Sequence, residues 1–387
     1  MLCLPKNRPA EIAAGCLLLM LTVASMCCAA CELAYAGEES ASKGADMSAN
    51  ALPDFISMWN FADPAATESQ FRELLPQAEA SGDQLYLIEL LTQIARAQGL
   101  QSSFPEAHAT LDRVELLLAQ GAAEQLARGR LRYLLERGRA FNSSGEEQSA
   151  QPLFMQAWEL GQTTAFDGLT IDAAHMLGIV TKDQESLDWN LRALDIAERT
   201  TDPKAANWKG ALYYNIGWTY MDMDDPGKAL ELFQRGVEFR EANAHPENNR
   251  MIAHWTVARA LRGLERYDEA LQTLKDISVN FAGYSDDGFW HEEMGENLLA
   301  LGEWEASRGH FEAALPLLQA MGWVEESEPL RIARIQTFVE QDIALLALGS
   351  EAPAFSLHNQ LGNAVSLAQY AGQPLVLVFY AKDMTGG

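Results

Sequence analysis

The feature that most constrains this chain is a small residue that recurs at intervals of 36 to 43 positions, near the start of a helix-period stretch. A second small residue stands twelve positions before it, and a large apolar residue usually stands four positions after it. Small side chains let two helices approach closely, and the large side chain fills the space beside them. The pattern therefore predicts stacked pairs of helices. The recurring small residues are Ala107, Ala150, Ser186, Ala229, Ala270 and Ser307.

The clearest unit is residues 207–239, where two helix-period patterns are joined by the polar stretch 221–227. It carries, at fixed offsets, Tyr213, Gly217, Tyr220, Ala229 and Phe233. This unit resembles a tetratricopeptide repeat, whose signature places large and small residues at those offsets over about 34 residues. The resemblance implies a mainly α protein, an α-solenoid of tetratricopeptide-like helical hairpins, because one hairpin cannot bury its own apolar face.

The third unit fits the pattern least well, since Asn190 stands where other units have leucine or phenylalanine. Its preceding small residue is Ala174, and a register shift that places Trp189 in the core is the alternative. We expect the array to run from residue 84 to residue 321, with a lead-in helical region at 55–80 whose N-cap is Ser69. An amphipathic helix at 328–348 should cap the far end, so the predicted solenoid domain is 55–348.

Charge and composition narrow the class of partner. The chain has 387 residues, a formal net charge of −26 and 48% hydrophobic residues, ample for a core. An acidic protein is poorly suited to neutralising phosphates, so we expect no nucleic-acid partner. The charge is otherwise typical of a soluble surface. No phosphate-binding loop or nucleophile elbow is present, and we expect no cofactor.

The first 36 residues are typical of an export signal. Lys6 and Arg8 precede a long apolar stretch, and a small-x-small pattern ends at Ala36, which predicts cleavage there. Two alternatives stay open: a lipoprotein signal acylated on Cys31, and an uncleaved anchor of sufficient length to cross a bilayer. Each places the rest of the chain outside the cytoplasm, periplasmic or otherwise extracytoplasmic, with membrane contact only through this segment. Residues 37–54 are predicted to be a flexible linker.

The helical pattern stops at Gly349, and residues 375–380 read as a strand buried on both faces. Residues 349–357, 361–367 and 370–385 together resemble the opening of a peroxiredoxin, a thioredoxin-fold thiol antioxidant of the alkyl hydroperoxide reductase/thiol-specific antioxidant type. The resemblance implies that 349–387 is an incomplete α/β domain of this fold. It gives Thr385 the role of orienting the peroxide, with Ala381 where the family has proline.

The resemblance also places the peroxidatic cysteine just after Gly387, and all five cysteines of this chain lie in its first 31 residues. A thiol peroxidase attacks with a thiolate. We therefore expect no complete active site here and interpret the chain as a truncated gene model or fragment; the alternative is a decayed domain retained as a tail. In a full-length protein the implied activity is thiol peroxidase or thiol–disulfide oxidoreductase.

The remaining candidate site is the concave side of the array, where the first helices of such repeats bind peptides. The transferred positions are Arg132, Arg139, Asn142, Tyr214, Asn215, Trp218, Met221, Ile252, Trp255, Arg259 and Arg262. We predict peptide binding by Arg139, Asn142, Tyr214, Trp218, Trp255, Arg259 and Arg262, with arginine forks suited to an acidic client. The competing interpretation is that the tryptophans pack and the arginines pair with local glutamates.

Two further groups carry no predicted site. Residues 222–227 resemble a calcium loop only faintly, since Pro226 and the missing closing glutamate fit the turn between two helices better. Seven histidines are scattered without a metal-ligand spacing, and His254 and His291 occupy a repeat position that expects a large residue. Core packing is the expected role of both, and no metal site is predicted.

Overall fold

The computed structural model describes residues 52–340, 356–358 and 364–370. Within 52–340 the chain is a succession of helices, and the α-solenoid prediction is confirmed. The helices are α1 (Pro64–Ser81), α2 (Gln84–Leu100), α3 (Phe104–Leu118), α4 (Ala127–Ser143), α5 (Glu147–Gly161), α6 (Asp167–Val180), α7 (Asp183–Arg199), α8 (Pro203–Ala206), α9 (Trp208–Asp222), α10 (Pro226–Ala242), α11 (Glu247–Gly263), α12 (Tyr267–Asn280), α13 (Gly288–Ala300), α14 (Trp304–Ala320), α15 (Trp323–Ser327) and α16 (Pro329–Glu340). Short 3₁₀ turns lie at Ile56–Met58, Ala282–Asp286 and Leu367–Tyr370.

Six hairpins form the array: α2/α3, α4/α5, α6/α7, α9/α10, α11/α12 and α13/α14. The predicted small residue is the fourth residue of each second helix. Of the six, Ala107, Ala150, Ala229, Ala270 and Ser307 are completely buried. The hydroxyl of Ser307 donates to the carbonyl of Gly295 on the paired helix at 2.8 Å. Close helix approach is therefore achieved as the sequence pattern requires.

Aspartates begin several of these helices. Asp63, Asp83, Asp225 and Asp287 each accept a hydrogen bond from a backbone N–H in the first turn of the helix that follows. The prediction of Ser69 as the first N-cap is wrong, because Asp63 caps α1 and Ser69 lies inside that helix. Asp225 lies at the turn between α9 and α10, which confirms the turn interpretation of residues 222–227.

The third hairpin keeps its repeat register but has a shorter turn. The Ser186 hydroxyl donates to Gly178, eight residues earlier, whereas Ser307 donates to a carbonyl twelve residues earlier. A Cβ on Gly178 would lie 2.9 Å from Cγ of Asn190, so Gly178, and not the predicted Ala174, is the close-approach residue. The four missing residues are about one helical turn, which leaves the same faces in contact. Trp189 is buried against Trp158 without a register shift.

Both ends of the described array are covered. The segment Phe55–Phe61 lies against α2, where the Trp59 indole donates to Oε1 of Gln93 at 2.9 Å. At the other end, Ile332 and Ile335 of α16 are buried with Phe311 and Leu318 of α14. The predicted capping helix is therefore described as far as Glu340, and residues 341–348 lie outside the described part.

Two short strands follow, β1 (Ser356–His358) and β2 (Ala364–Ser366), paired antiparallel with Leu357 opposite Val365. The predicted strand 375–380, the export segment 1–36 and most of the linker lie outside the described residues.

Candidate functional site

The first helices of successive hairpins contact one another through one repeated pair of positions. An arginine one position after the small residue of a first helix contacts a carboxylate two positions before the small residue of the next. The pairs are Arg96–Glu136 at 3.4 Å, Arg139–Asp172 at 2.5 Å and Arg259–Glu293 at 3.5 Å. We call the side of the array that carries these positions the first-helix face; Arg139 and Arg259 are half-buried in it, and the other four side chains are buried.

Arg139 joins two carboxylates of neighbouring first helices, Glu136 and Asp172, in one network. It donates to Glu136 on its own helix at 2.7 Å and to both carboxylate oxygens of Asp172 on α6 at 2.5 Å. Asp172 and Glu136 are almost fully buried, so their charges are compensated by guanidinium groups instead of water. This geometry agrees with the competing interpretation that these arginines pair locally.

A second charged network occupies the last two junctions. Arg262 donates to Glu293 at 2.6 Å, and Arg331 of α16 donates through Nε to Glu292 at 2.8 Å. Burial alone would lower the pKa of Arg262, but the charges of Glu293 and Glu296 raise it above its ordinary value. Burial opposes the charged form of Arg331 too, and Glu292 and Glu328 outweigh it, raising its pKa. These guanidinium groups are fixed cations.

Around the fourth hairpin the same positions carry other chemistry. The residue that would be the arginine is His175 at one junction and Trp218 at the next, and the facing residues are Asn215 and Thr256. His175 is buried, lies 3.1 Å from Asn190 through Nδ1, and has a pKa lowered by burial. Uncharged positions therefore separate the two charged networks, and of the four residues only Trp218 is partly exposed.

A continuous strip of aromatic side chains runs from the fourth hairpin to α15. The successive ring centroids of Tyr214, Trp218, Trp255, Phe289 and Trp323 are 6.1, 5.9, 6.1 and 6.1 Å apart. The Trp255 indole donates to the carbonyl of Phe289 at 3.1 Å, and the guanidinium of Arg259 lies 6.0 Å from the Trp218 ring. All five aromatic side chains are half-buried, so each presents part of its ring to solvent. We call this set the aromatic strip.

The structure brings together some of the predicted site residues. Tyr214, Trp218, Trp255 and Arg259 belong to one contact group, and Arg262 shares Glu293 with Arg259. Arg139 belongs to the separate network with Asp172, and half-buried Asn142 lies near the end of α4. Arg132 contacts Glu89 at 3.5 Å. Thr385 and Cys31 lie outside the described residues, and the peptide-binding role of the others stays a prediction.

Four residues of the strip and the networks were not predicted from the sequence: Phe289, Trp323, Asp172 and Glu293. Asp172 and Glu293 each stand two positions before a small repeat residue, so comparing that position across units would have found them. Trp323 lies in α15, after the last hairpin, and no repeat position points to it.

The described residues also bear on metal sites and membrane spans. Among the described residues, no group of three or more histidine, cysteine, aspartate or glutamate side chains is arranged to hold a metal ion. In the same part of the chain, no helix combines the length and the apolar character needed to cross a membrane. The predicted membrane contact of residues 1–36 falls outside the described part.

Comparison with known families agrees with the repeat pattern. Residues 210–243 match the tetratricopeptide repeat family, and residues 348–387 match the AhpC/TSA family. No curated protein sequence matched this chain. The array is thus a tetratricopeptide-type solenoid, a class of repeat that mediates protein–protein interaction, and it is followed by part of an AhpC/TSA redoxin domain.

Solved structures share the fold at low identity. One is a signal transduction ATPase with numerous domains (STAND) protein from Pyrococcus horikoshii, which has a tetratricopeptide repeat sensor. It matches with a TM-score of 0.55 and 14% identity, over 71% of this chain and 43% of that one. The apo form of the quorum sensor NprR from B. thuringiensis has a TM-score of 0.50 and 15% identity, over 75% of this chain and 84% of that one. At these identities the likeness concerns the fold alone.

Proposed function

We propose that this tetratricopeptide repeat protein is an exported scaffold that binds a partner protein through an extended acidic segment on its first-helix face. The observation that carries the proposal is the aromatic strip from Tyr214 to Trp323. It begins at the fourth hairpin, where aromatic side chains replace the arginine–carboxylate pairs, and it continues as half-exposed rings past Arg259 to α15. Aromatic anchors of this kind dominate the binding energy of many interfaces.

The geometry of the strip suits a chain segment that runs across several hairpins. Adjacent rings lie about one extended two-residue repeat apart, and consecutive side chains on one face of such a segment have that same spacing. Apolar side chains of the partner would contact the rings. Free guanidinium N–H groups of Arg259 and Arg262 could receive its carboxylates, since each guanidinium has five donors and a carboxylate uses at most two.

Charge favours the same class of partner. The networks on the first-helix face contain about as many arginines as carboxylates, although the chain as a whole has a formal net charge of −26. An acidic segment would therefore be repelled less at this face than by the rest of the molecule. Such a charge contrast steers encounter and fixes orientation more than it adds affinity.

The test measures how much partner protein is retained by the full-length chain when the chain is immobilised. We expect the double variant Trp218→Ala/Trp255→Ala to lose at least nine-tenths of the proteins retained by the wild type. The matched control is Trp304→Ala, a partly exposed tryptophan on α14 that stacks on Phe338 outside the strip. Equal retention by the wild type and the double variant would refute the proposal, as would an equal loss in the control.

A charge-specific arm separates acidic from general apolar recognition. Retention should fall as salt is raised from 0.05 to about 0.5 M, because exposed charge pairs are screened over a few ångströms at high ionic strength. A synthetic polyglutamate peptide should compete, and polylysine should not. Competition by polylysine alone would overturn the choice of an acidic partner.

Export of the chain is part of the proposal and rests on the basic start, the apolar run and the small-x-small pattern of residues 1–36. Intact mass spectrometry of protein isolated from its host distinguishes the alternatives. Cleavage predicts an amino terminus at Gly37, and lipidation predicts a diacylglycerol mass on Cys31. A soluble protein that begins at Met1 would contradict export.

A second candidate function is a thiol antioxidant activity in a longer polypeptide, favoured by the AhpC/TSA match at residues 348–387. Thr385 would then orient the peroxide beside a cysteine that this sequence does not contain. For the 387-residue chain we expect no thiol-dependent peroxide consumption, because every cysteine lies within the first 31 residues. Measurable turnover above that of a variant with all five cysteines changed to serine would contradict this expectation.

A further inference from the structure

The last hairpin contains two histidines that the proposed partner binding does not use. His291 is in the first turn of α13, and His310 is on α14, which packs antiparallel against it. Their Nδ1 atoms face each other at 3.2 Å. Both imidazoles are half-buried, so each is held by packing on one side and open to solvent on the other.

We propose that His291 and His310 form a two-histidine site for a divalent transition-metal ion, of which Cu²⁺ is the strongest binder and Zn²⁺ a weaker one. Two imidazole nitrogens bound at about 2.05 Å lie about 3.3 Å apart at a tetrahedral Zn²⁺ and about 2.9 Å apart at a tetragonal Cu²⁺. The observed separation of 3.2 Å lies between these two values, so the nitrogens need to move by only a few tenths of an ångström for either ion. Imidazole nitrogen is a preferred ligand of both ions, and affinity rises toward copper.

The surroundings of His291 fix which nitrogen is available. Its Nε2 lies 3.3 Å from the carbonyl oxygen of Ser285, which accepts only from a protonated nitrogen. The proton of neutral His291 is thus on Nε2, and the lone pair is on Nδ1, toward His310. Metal-binding histidines characteristically donate their second ring N–H to a backbone carbonyl in this way, and the bond orients the ring.

Packing holds both rings in place. The Trp290 ring stands edge-on to His291 at 4.9 Å and to His310 at 5.6 Å between centroids. Trp290 is itself buried, and its indole donates to the carbonyl of Leu274 on α12 at 2.9 Å. Because packing against Trp290 already orders the two imidazole rings, they lose little conformational entropy when an ion binds.

The charge state is compatible with metal binding near neutral pH. Burial lowers the pKa of His291, and burial together with the neighbouring imidazole of His291 lowers the pKa of His310. Both shifts favour the neutral imidazole, which is the form that binds a metal ion. Without an ion, Nδ1–H of His310 donates to Nδ1 of His291; on binding, His310 carries its proton on Nε2 instead. Water would fill the remaining coordination positions.

The experiment is a Cu²⁺ titration of the untagged full-length chain with its cysteines alkylated, followed by calorimetry and electron paramagnetic resonance. We expect one strong equivalent with hyperfine structure from two imidazole nitrogens, and quenching of Trp290 fluorescence. His291→Gln and His310→Gln should each weaken this equivalent at least tenfold. The matched control His254→Gln should not, since His254 contacts Glu241 on α10 and lies apart from the pair.

Circular dichroism establishes that the variants stay folded. A wild-type affinity equal to that of His310→Gln would overturn the proposal, and so would an equal loss in His254→Gln. The Trp290→Phe variant supplies an independent readout: it should keep the copper equivalent while losing most of the quenching. Undiminished quenching in this variant would place the ion elsewhere. Partner capture does not depend on this site, so the two proposals can fail separately.

Discussion

Gly217 lies against the ring of Phe233 so closely that a Cβ on this glycine would be 2.7 Å from the ring carbon Cδ1. The same relationship recurs between Gly138 and Phe154 in the second hairpin, where the distance to Cδ1 would be 2.8 Å. In both hairpins the ring occupies the volume that a side chain on the first helix would need. The glycine is required by close packing, since its backbone is ordinary α-helix.

The first prediction concerns this contact. Gly217→Ala should destabilise the protein by about 1–3 kcal/mol, because the Phe233 ring is fully buried and can move only by displacing its neighbours. Urea denaturation monitored by circular dichroism measures the change. The matched control is Gly210→Ala on the same helix, where the added Cβ would meet Phe239 at an ordinary 3.5 Å. The control should be neutral or stabilising by up to about 1 kcal/mol.

The second prediction concerns the Arg139 network. Arg139→Ala leaves the buried Asp172 carboxylate without its bidentate partner, and breaking such a pair typically costs about 3–5 kcal/mol. The double variant Arg139→Ala/Asp172→Ala should recover part of the loss, since the uncompensated charge is gone. Arg199→Ala, which breaks an exposed pair with Asp195, serves as the control and should not change the unfolding midpoint. Equal midpoints for Arg139→Ala and the wild type would contradict the prediction.

The third prediction is a pH dependence from His175. Burial lowers its folded-state pKa below the ordinary value, so the unfolded chain binds more protons as the pH falls. Stability should therefore decrease as the pH falls through about 6.5, the ordinary histidine value, toward the lower folded-state pKa. His175→Gln should be less stable at pH 7, having lost the contact with Asn190, but should lose less additional stability between pH 7 and 5. If His175→Gln lost as much stability between pH 7 and 5 as the wild type, His175 would not be the cause of the pH dependence.

Much of the helical array could be predicted because the information is local. A small residue where two helices cross and a large one beside it act through contacts within about 30 residues, so Gly217 and Phe233 are recognisable from spacing alone. The third hairpin shows the limit of this reasoning. A turn shorter by one helical turn keeps Asn190 buried but transfers the close contact from Ala174 to Gly178. Spacing cannot distinguish the two, because both residues lie on the same helix face.

The site was harder to predict because its geometry depends on pairs of hairpins. Arg259 looks like a free cation in the sequence, and only the stacking of α11 on α13 brings it to Glu293. The aromatic strip ends at Trp323 for the same reason, since α15 reaches Phe289 through tertiary packing. His291 and His310 are nineteen residues apart in sequence, and their contact likewise depends on how α14 lies against α13.

The last prediction concerns the covered end of the array. Trp59 stacks on Phe61 at 4.5 Å, meets Phe71 edge-on at 5.4 Å and donates to the fully buried Gln93. Trp59→Ala should lower the free energy of unfolding of this end by about 3 kcal/mol, because it removes the ring packing and leaves the Gln93 oxygen without its donor. In a repeat array each hairpin contacts mainly its neighbours, so the loss should stay local.

Hydrogen exchange followed by mass spectrometry measures where the loss appears. Amides of α1 and α2 should exchange at least tenfold faster in Trp59→Ala, while those of α13 and α14 keep their wild-type rates. Trp304→Ala is the mirror control, because it stacks on Phe338 of α16 and should affect only the other end. If the amides of α2 exchanged as slowly in Trp59→Ala as in the wild type, the first hairpin would be stable without the packing of the segment Phe55–Phe61. Uniformly faster exchange along the whole array would instead mean that the hairpins unfold as one cooperative unit, which the nearest-neighbour packing of a solenoid does not predict.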